Sequence, residues 1–391
     1  MISVVEALKI IYEKTGLSRC ENTDIASAYG KILAENVFSP IHMPPFRQSA
    51  MDGFALKLNG SSTYLIKGEV KAGDNSNFSL NQGEAVRIFT GAMVPDDADA
   101  IVIREHVEVD GAHVYLNKVP AVETNIRPMG EQVKKGDAVL NKGTKLNEAG
   151  IGFLAGLGIS EVNVFKTPVV TLLITGNELQ EPGSFLQPGC IYESNSVMLQ
   201  AALRRAGISR VNIVKIKDTL DETTKAIATQ LSQADVLLIT GGISVGDYDF
   251  VKEALEANSV KEAFYKVNQK PGKPLWFGTK DKKLVFALPG NPAASLTCFY
   301  VYVLPALQKL SGDPGFGLQR SSAQLTSEIT NTTGKSLFLK GKCEHGKISV
   351  LTGQASSMLI SFAQSNALIY VPETVQEIKV NEEVAYYDLN F

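Results

Sequence analysis

Three stretches of the chain, 169–176 (VVTLLITG), 236–242 (VLLITGG) and 284–290 (LVFALPG), are apolar and β-branched with no polar alternation. A strand with one face in water alternates, whereas a strand covered on both faces does not, so these runs predict buried strands of a parallel sheet. Each ends on glycine, and LLITG occurs twice, which marks equivalent strand ends. Between the runs the pattern shifts to the helical period. Ser194 to Ala206 closes on Gly207, and Thr219 to Ala234 opens with Thr219 and Glu222 in capping-box spacing. A third helix is expected from Asp247. Asn291 and Pro292 suit the N-cap and first position of a fourth, running toward Lys309. This alternation predicts a three-layer α/β domain over residues 167–313.

The flanks follow other patterns. The opening MISVVEALKIIYEK is helical in period, with Ser3 and Glu6 again in capping-box spacing. Residues 40–135 are rich in turns between short alternating strands such as Tyr64 to Lys67 and Ala100 to Val109, which predicts a small β-rich module. Residues 136–166 form a separate element, with NEAGIGFLAGLGI as a short helix ending at a glycine. From residue 314 onward, AQLTSEI, KISVLTG, ALIYVPE and EVAYY predict a compact β sandwich or barrel.

Composition narrows the function classes. With 391 residues, 44% of them hydrophobic and 20% charged, the chain has the length of about two to four globular domains. A net charge of −3 without long single-sign runs leaves no footprint for nucleic acid or an anionic membrane. Cys20, Cys190, Cys298 and Cys343 are scattered without a C-x-x-C, which argues against a zinc site or a disulfide framework and fits a reducing cytoplasm. The N-terminus lacks the basic start and long apolar core of a signal peptide. The most apolar window, AASLTCFYVYVLPAL from Ala293, contains Pro305 and is short of the roughly 20 residues that a membrane span needs.

The stretch 240–250, TGGISVGDYDF, places a glycine turn between a buried strand and a helix start. Such a junction aims backbone N–H groups and the positive end of a helix at one point, a ready site for an anion. Asp247 and Asp249 invite a divalent cation beside a phosphate, although Asp is equally a common N-cap. Glu178, in TGNEL, is either a solvating charge or a second metal-side carboxylate; Asp218, after VNIVKIK, is a ligand or a turn residue. FYKVNQKPGKPLWFG presents Lys266, Lys270 and Lys273 without an acid from Ala263 to Lys280, suited to phosphates or an oxyanion, or else a solvated loop. LPGNP adds a helix start with free N–H groups. Arg47, Ser49, Asp52, Thr90, Arg127 and Glu131 lie on turns of the β-rich module, where a plain turn role is the commoner one. The four histidines have no metal spacing, and the absence of G-x-x-x-x-G-K-[ST] removes the main support for an ATPase.

Taken together and in order, PPFRQSAMDGFA, RIFTGAMVP, TNIRPMGEQV, LLITGNEL, TGGISVGDYDF, KPGKP and ALPGNPAAS resemble the molybdopterin molybdenumtransferases, the MoeA type that includes the gephyrin E domain. The resemblance spans nearly the whole chain. It implies a multidomain α/β plus β fold. Residues 1–18 would be a helix on the central domain, 19–39 with 136–166 domain I, and 40–135 the β-rich domain II. Residues 167–313 would be the molybdopterin-binding domain and 314–391 a small C-terminal β-barrel. It also implies a cytoplasmic homodimer whose site is shared between subunits, and the adenylylating enzyme of the same pathway as a further partner.

The implied reaction converts adenylylated molybdopterin and molybdate, with Mg²⁺, into the molybdenum-loaded cofactor and AMP. Glu178 and Asp249 would hold the metal or position the diphosphate, and Lys266, Lys270 and Lys273 would attract molybdate and offset developing charge. Thr175, Gly176, Asp218, Gly241, Gly242, Ser244, Gly246, Gly290, Asn291 and Ser356 would bind substrate, with Pro289 and Pro292 shaping the wall. Asp52, as a further catalytic residue, would reach the partner subunit's cleft with Thr90 and Arg127, and Glu131 would bind substrate. The chain departs from the family pattern at Gln132, Lys340 and Ala355, where Asp, Arg and Gly are usual, and these three receive no role. Two rivals are the preceding adenylylation step and a gephyrin-like scaffold.

Overall fold

The computed structural model describes residues 1–75, 78–243, 250–315 and 317–390. The chain divides into two compact units, one formed by Met1–Asn22, Gly30–Ala34 and Asn163–Phe391, the other by Thr23–Tyr29 and Glu35–Val162.

The described part of the first unit opens with helix α1 (Val4–Lys14), whose Ser3 cap accepts a hydrogen bond from the Glu6 N–H as the spacing predicts. It continues through β1 (Val170–Thr175), α2 (Asn195–Arg205), β2 (Val211–Ile216), α3 (Leu220–Gln233) and β3 (Val236–Thr240). Then come α4 (Val251–Ala257), β4 (Lys261–Tyr265), β5 (Trp276–Lys280), β6 (Lys283–Leu288), α5 (Pro292–Cys298) and α6 (Leu304–Leu310). The six strands form one sheet in the order β2-β1-β3-β6-β5-β4. β2, β1, β3 and β6 run parallel, while β5 and β4 form an antiparallel edge.

Alternate residues of the apolar runs reach opposite faces, as a period of two requires. Leu172, Leu238, Leu284 and Phe286 join α1, α2, α5 and α6 in one core. Leu173, Leu237, Ile239 and Val285 join Ile227 and Leu231 of α3 and Val251 and Leu255 of α4 in the other. The expected three layers are therefore present. The expected helix from Asn291 toward Lys309 is also present but not uniform: a π-helical turn, Phe299–Val303, separates α5 from α6. Pro305 has no N–H to offer the carbonyl of Val301, and the wider turn before it absorbs the missing bond.

The tail of this unit is a barrel rather than a sandwich. Strands β7 (Arg320–Leu325), β8 (Ser336–Glu344), β9 (Lys347–Val350), β10 (Ala367–Val371) and β11 (Glu383–Asp388) close in the circuit β8-β9-β7-β11-β10-β8. Ala367, Ile369 and Val371 fill its interior, while the intervening Leu368 and Tyr370 turn outward and join Phe338 and Tyr387 in the core shared with α5 and α6.

In the second unit, strands 53–56, 63–70, 84–88, 100–103, 107–110 and 113–116 form a six-stranded sheet. It has a hydrophobic cluster on each face. The expected strand from Ala100 to Val109 is broken by a 3-10 turn, Arg104–His106. Gly53 lies where strand pairing is closest: a Cβ there would sit 1.9 Å from the carbonyl oxygen of Val102. Among the described residues no helix is long and apolar enough to cross a membrane, and the four cysteines are free.

Phe286 is fully buried, with its ring centroid 4.6 Å from that of Phe277. Phe286→Ala is expected to destabilise the first unit by about 3–5 kcal/mol through lost burial and a residual cavity, read as a lower midpoint for that unit's transition in urea.

Candidate active site

β2 and β3 pair with opposite edges of β1, so the direction of winding reverses there, and the carboxyl ends of β1 and β3 flank a topological switch point. Both apolar runs end in Thr, and glycine follows each. Gly176 (φ 147°), Gly241 (φ 88°) and Gly242 (φ 61°) adopt backbone that side chains disfavour. Space is also closed to them. A Cβ on Gly241 would lie 2.7 Å from the Thr175 carbonyl oxygen and 2.8 Å from its hydroxyl, and one on Gly242 would lie 2.9 Å from Val251. A Cβ on Gly290 would lie 3.7 Å from the Gly241 Cα, so the turns after β3 and β6 abut.

Among the described residues, the Thr175 hydroxyl and the Asn195 side-chain oxygen are buried and form no hydrogen bond. An unmade bond at a buried group costs about 1–3 kcal/mol, and such groups at strand ends in an α/β crevice are suited to a ligand. The Asn195 amide is held in orientation because its Nδ2 donates to the Gly290 carbonyl at 2.8 Å.

Glu178 and Asp218 differ in their engagement. Asp218 accepts from the Asn177 N–H at 3.0 Å and its own N–H donates to the Asn177 side chain at 3.3 Å, a reciprocal clasp that fixes the TGN turn. The turn role open to Asp218 is thus occupied. The Glu178 carboxylate is exposed beside Gly176, with an oxygen 3.1 Å from where a Cβ of that glycine would be. Among the described residues no group of three or more His, Cys, Asp or Glu side chains could hold a metal. Ser244, Gly246, Asp247 and Asp249 lie outside the described residues.

The lysine run folds into a turn whose ends are tied: Lys266 N–H bonds the Leu275 carbonyl at 2.9 Å, and Val267 N–H bonds that of Lys273 at 3.1 Å. Lys266 (φ 68°) lays its ammonium 4.6 Å from the Tyr265 ring centroid. Lys270 and Lys273 are exposed on either side of the buried Gly272.

Helix α5 starts at LPGNP as expected, but Asn291 makes no side-chain cap bond. Its Nδ2 donates instead to the Ser356 hydroxyl at 3.0 Å, and Ala294 N–H donates to the Ser356 carbonyl at 3.1 Å. Ser356 is therefore brought from the barrel tail to the helix start. Lys340, 2% exposed, holds that loop: its ammonium donates to the carbonyls of Gly353 (2.8 Å), Ala355 (3.2 Å) and Met358 (3.2 Å). All three of its donors are used, and burial pulls the ammonium below the usual lysine range. Lys340, Asn195 and the buried Glu193, which caps Ser196 at 2.8 Å, are site-shaping residues that sequence reasoning passed over. The polar cluster YESNS before α2 was the available signal for two of them.

In the second unit, Asp52 accepts from both the backbone N–H (2.7 Å) and hydroxyl (2.8 Å) of Thr90. Those two bonds, the backbone one foremost, hold the Asp52 carboxyl below the usual range, assisted by the Arg87 charge. Arg127 lies on a short strand paired with Gln48–Ser49, and Ser49 bonds the 90–93 turn, so Asp52, Thr90 and Arg127 sit on mutually stitched turns. Glu131 is exposed on the next turn. Arg47, by contrast, spends its guanidinium on the carbonyls of Pro95, Asp96 and Ala98, and Ser49 donates to Met51, both structural roles. Asp52 also lines a cavity of about 650 Å³ with Lys67, Glu69, Arg87 and Arg104.

Comparison with known proteins covers the chain almost end to end. Residues 2–158 match the MoeA N-terminal region (domain I and II), 171–309 a probable molybdopterin binding domain, and 322–389 the MoeA C-terminal region (domain IV). A molybdopterin molybdenumtransferase of Haemophilus influenzae is 35% identical over 384 residues, 95% of each chain. One from Staphylococcus epidermidis is 32% identical over 98% of this chain and 94% of its own. The crystal structure of a molybdopterin biosynthesis MoeA protein from Pyrococcus horikosii superposes with a TM-score of 0.87 over 100% of both chains, at 28% identity.

Thr90→Val removes the hydroxyl bond to Asp52 and keeps the backbone one, so the Asp52 pKa is expected to rise only part of the way toward its ordinary value. The Asp52–Thr90 link is intact above the ordinary carboxyl pKa and is lost as pH falls through the lowered one. Carboxyl NMR titration of the two proteins checks both the direction and the partial size of the change.

Proposed function

The chain belongs to the molybdopterin molybdenumtransferase family, and from that membership we propose that it performs the last step of molybdenum-cofactor synthesis. Adenylylated molybdopterin and molybdate would be converted into the molybdenum-loaded cofactor with release of AMP. The observation that supports this reading is the packing of the glycine turn after β3 against the buried Thr175 hydroxyl, which has no partner among the described residues, with the turn after β6 abutting it at a switch point. Such a cradle presents main-chain N–H groups to an anionic ligand that a side chain would exclude.

Within it, Gly176, Gly241, Gly242 and Gly290 line the approach for the phosphate-bearing substrate, and Thr175 supplies a hydroxyl. Asp218 keeps the TGN turn, and hence Glu178, in place. Lys270 and Lys273, with Lys266 behind them, raise the local concentration of molybdate and offset negative charge as the diphosphate is cleaved. Asn291 and Ser356 brace the opposite wall between Pro289 and Pro292. Ser244 and Gly246, outside the described residues, are assigned to substrate binding with them.

Mg²⁺ is commonly held by one or two carboxylates together with substrate phosphates, and the exposed Glu178 carboxylate beside the glycine turn suits that chemistry. Glu178 and Asp249 are the two we assign. The bound ion would supply charge neutralisation at the bridging and leaving oxygens. The protein would act in the cytoplasm as a homodimer, with Asp52, Thr90 and Arg127 turned to the partner subunit's cleft and Glu131 binding substrate, and would accept its substrate from the adenylylating enzyme. The domain bounds 1–18, 19–39 with 136–166, 40–135, 167–313 and 314–391 belong to the same reading. The adenylylation and scaffold alternatives are not favoured, because full-length relatives carry the transferase name.

The test is AMP release from adenylylated molybdopterin with and without molybdate and Mg²⁺. Release should depend on both, and Asp249→Ala and Glu178→Gln should each lower turnover on the order of 10²-fold or more with unchanged thermal midpoints. Undiminished turnover in either variant removes that residue from the site, and formation of adenylylated pterin from MgATP would move the enzyme one step earlier.

A further inference from the structure

The exposed lysines Lys270 and Lys273 are separated by a residue that is tied into the protein interior. Gly272 is buried with φ 88°, and a Cβ there would lie 2.5 Å from Cys298 Sγ and 2.7 Å from Gln269 Nε2. Its carbonyl accepts from Gln269 Nε2 at 3.1 Å and from the Cys298 thiol at 3.7 Å. The Gln269 side-chain oxygen in turn accepts from the Tyr302 hydroxyl. Gln269, Cys298 and Tyr302 are all 0% exposed.

The hydrogen bonds have one direction. Burial raises both the Cys298 thiol and the Tyr302 phenol well above their ordinary ranges, so each remains a donor at any pH the enzyme works in. Tyr302 thereby fixes which way the Gln269 amide faces, and the amide nitrogen then donates to the Gly272 carbonyl at 3.1 Å and to Cys298 Sγ at 3.6 Å. An amide in an apolar core without these bonds would leave two polar groups unpaired.

The node also has firm mountings. Tyr302 lies in the π-helical turn Phe299–Val303, continuous with α5, which starts at the LPGNP wall of the site. Gln269 and Lys270 pair in parallel with Ser336 and Leu337 of β8. The turn that carries the two ammonium groups is thus referenced to the helix that forms one wall of the cradle and to the barrel that delivers Ser356.

We propose that Gln269 and Tyr302 are positioning residues for the anion-binding lysines: they set the main-chain path of residues 270–273 and so the joint placement of Lys270 and Lys273. This role rests on the assignment of those lysines to molybdate made above. It is a different role from theirs, because neither Gln269 nor Tyr302 is accessible to substrate. A purely structural part in core packing would be satisfied by any side chain of the same volume, whereas a positioning part requires the hydroxyl and the amide.

The experiment is steady-state AMP release by the full-length protein across molybdate concentrations for Tyr302→Phe, Gln269→Met, Lys273→Ala and the Tyr302→Phe/Lys273→Ala double variant, with thermal midpoints alongside. Tyr302→Phe and Gln269→Met keep side-chain bulk. Each is expected to raise the KM for molybdate about tenfold or more while kcat changes little. In the double variant the two effects should not multiply, because the node acts through the lysine. Unchanged KM in both bulk-preserving variants overturns the role, as does full multiplication in the double variant. A parallel fall of kcat with the thermal midpoint at constant KM overturns it in favour of packing alone. An unchanged KM in Lys273→Ala itself overturns both the lysine assignment and the node's action, and is told apart because it rests on that single variant.

Discussion

The parallel pairing of β1, β3 and β6 is the constraint on which the rest of the first unit depends. Parallel strands must be joined by crossovers, so their carboxyl ends all emerge on one edge of the sheet. The three apolar runs that read as double-buried strands therefore deliver their terminal glycines to one place without any further instruction. Gly241 and Gly290 come into contact range because Thr240 and Leu288 occupy the same register row. The crevice is a by-product of strand order, and its chemistry comes from what each loop adds.

Those additions are fastened in pairs across the chain. Asn177 clasps Asp218, Asn195 steadies Gly290, and Asn291 reaches Ser356. In each case an amide side chain spends one end on a neighbouring loop. Asn291 shows the trade plainly: a good capping residue gives up its local bond for one to a residue 65 positions away. Local stability is diverted into alignment of two elements that share no covalent proximity.

That trade also explains what could be read in advance. Strand runs, the Ser3 and Thr219 caps and the start of α5 at Pro292 depend on residues a few positions apart, and all are visible as spacing. The resemblance of seven short motifs to one family carried the fold class further, to the β tail as a barrel. What stayed hidden depends on distant partners. Nothing local to Lys340 announces three carbonyl acceptors in residues 353–358, nor does Asp52 announce Thr90. Within the barrel, the parallel pairing of β7 with β9 likewise has no signature in any strand pattern. The π turn before Pro305 was signalled by the proline but not by the helical period.

Lys340 is enclosed by carbonyl oxygens rather than by a carboxylate. A loop fastened by an ion pair at the surface loosens as salt screens the attraction over a Debye length of about 10 Å at 0.1 M. Short contacts between an enclosed ammonium and backbone dipoles are screened far less. The Ser356 loop is thereby held against α5 in a way that is indifferent to ionic strength. The exposed ammonium groups of Lys270 and Lys273 have no such enclosure, and their long-range field is screened in full. The fastening of this loop is thus insulated from the salt content of the medium, while the reach of the exposed lysines varies with it.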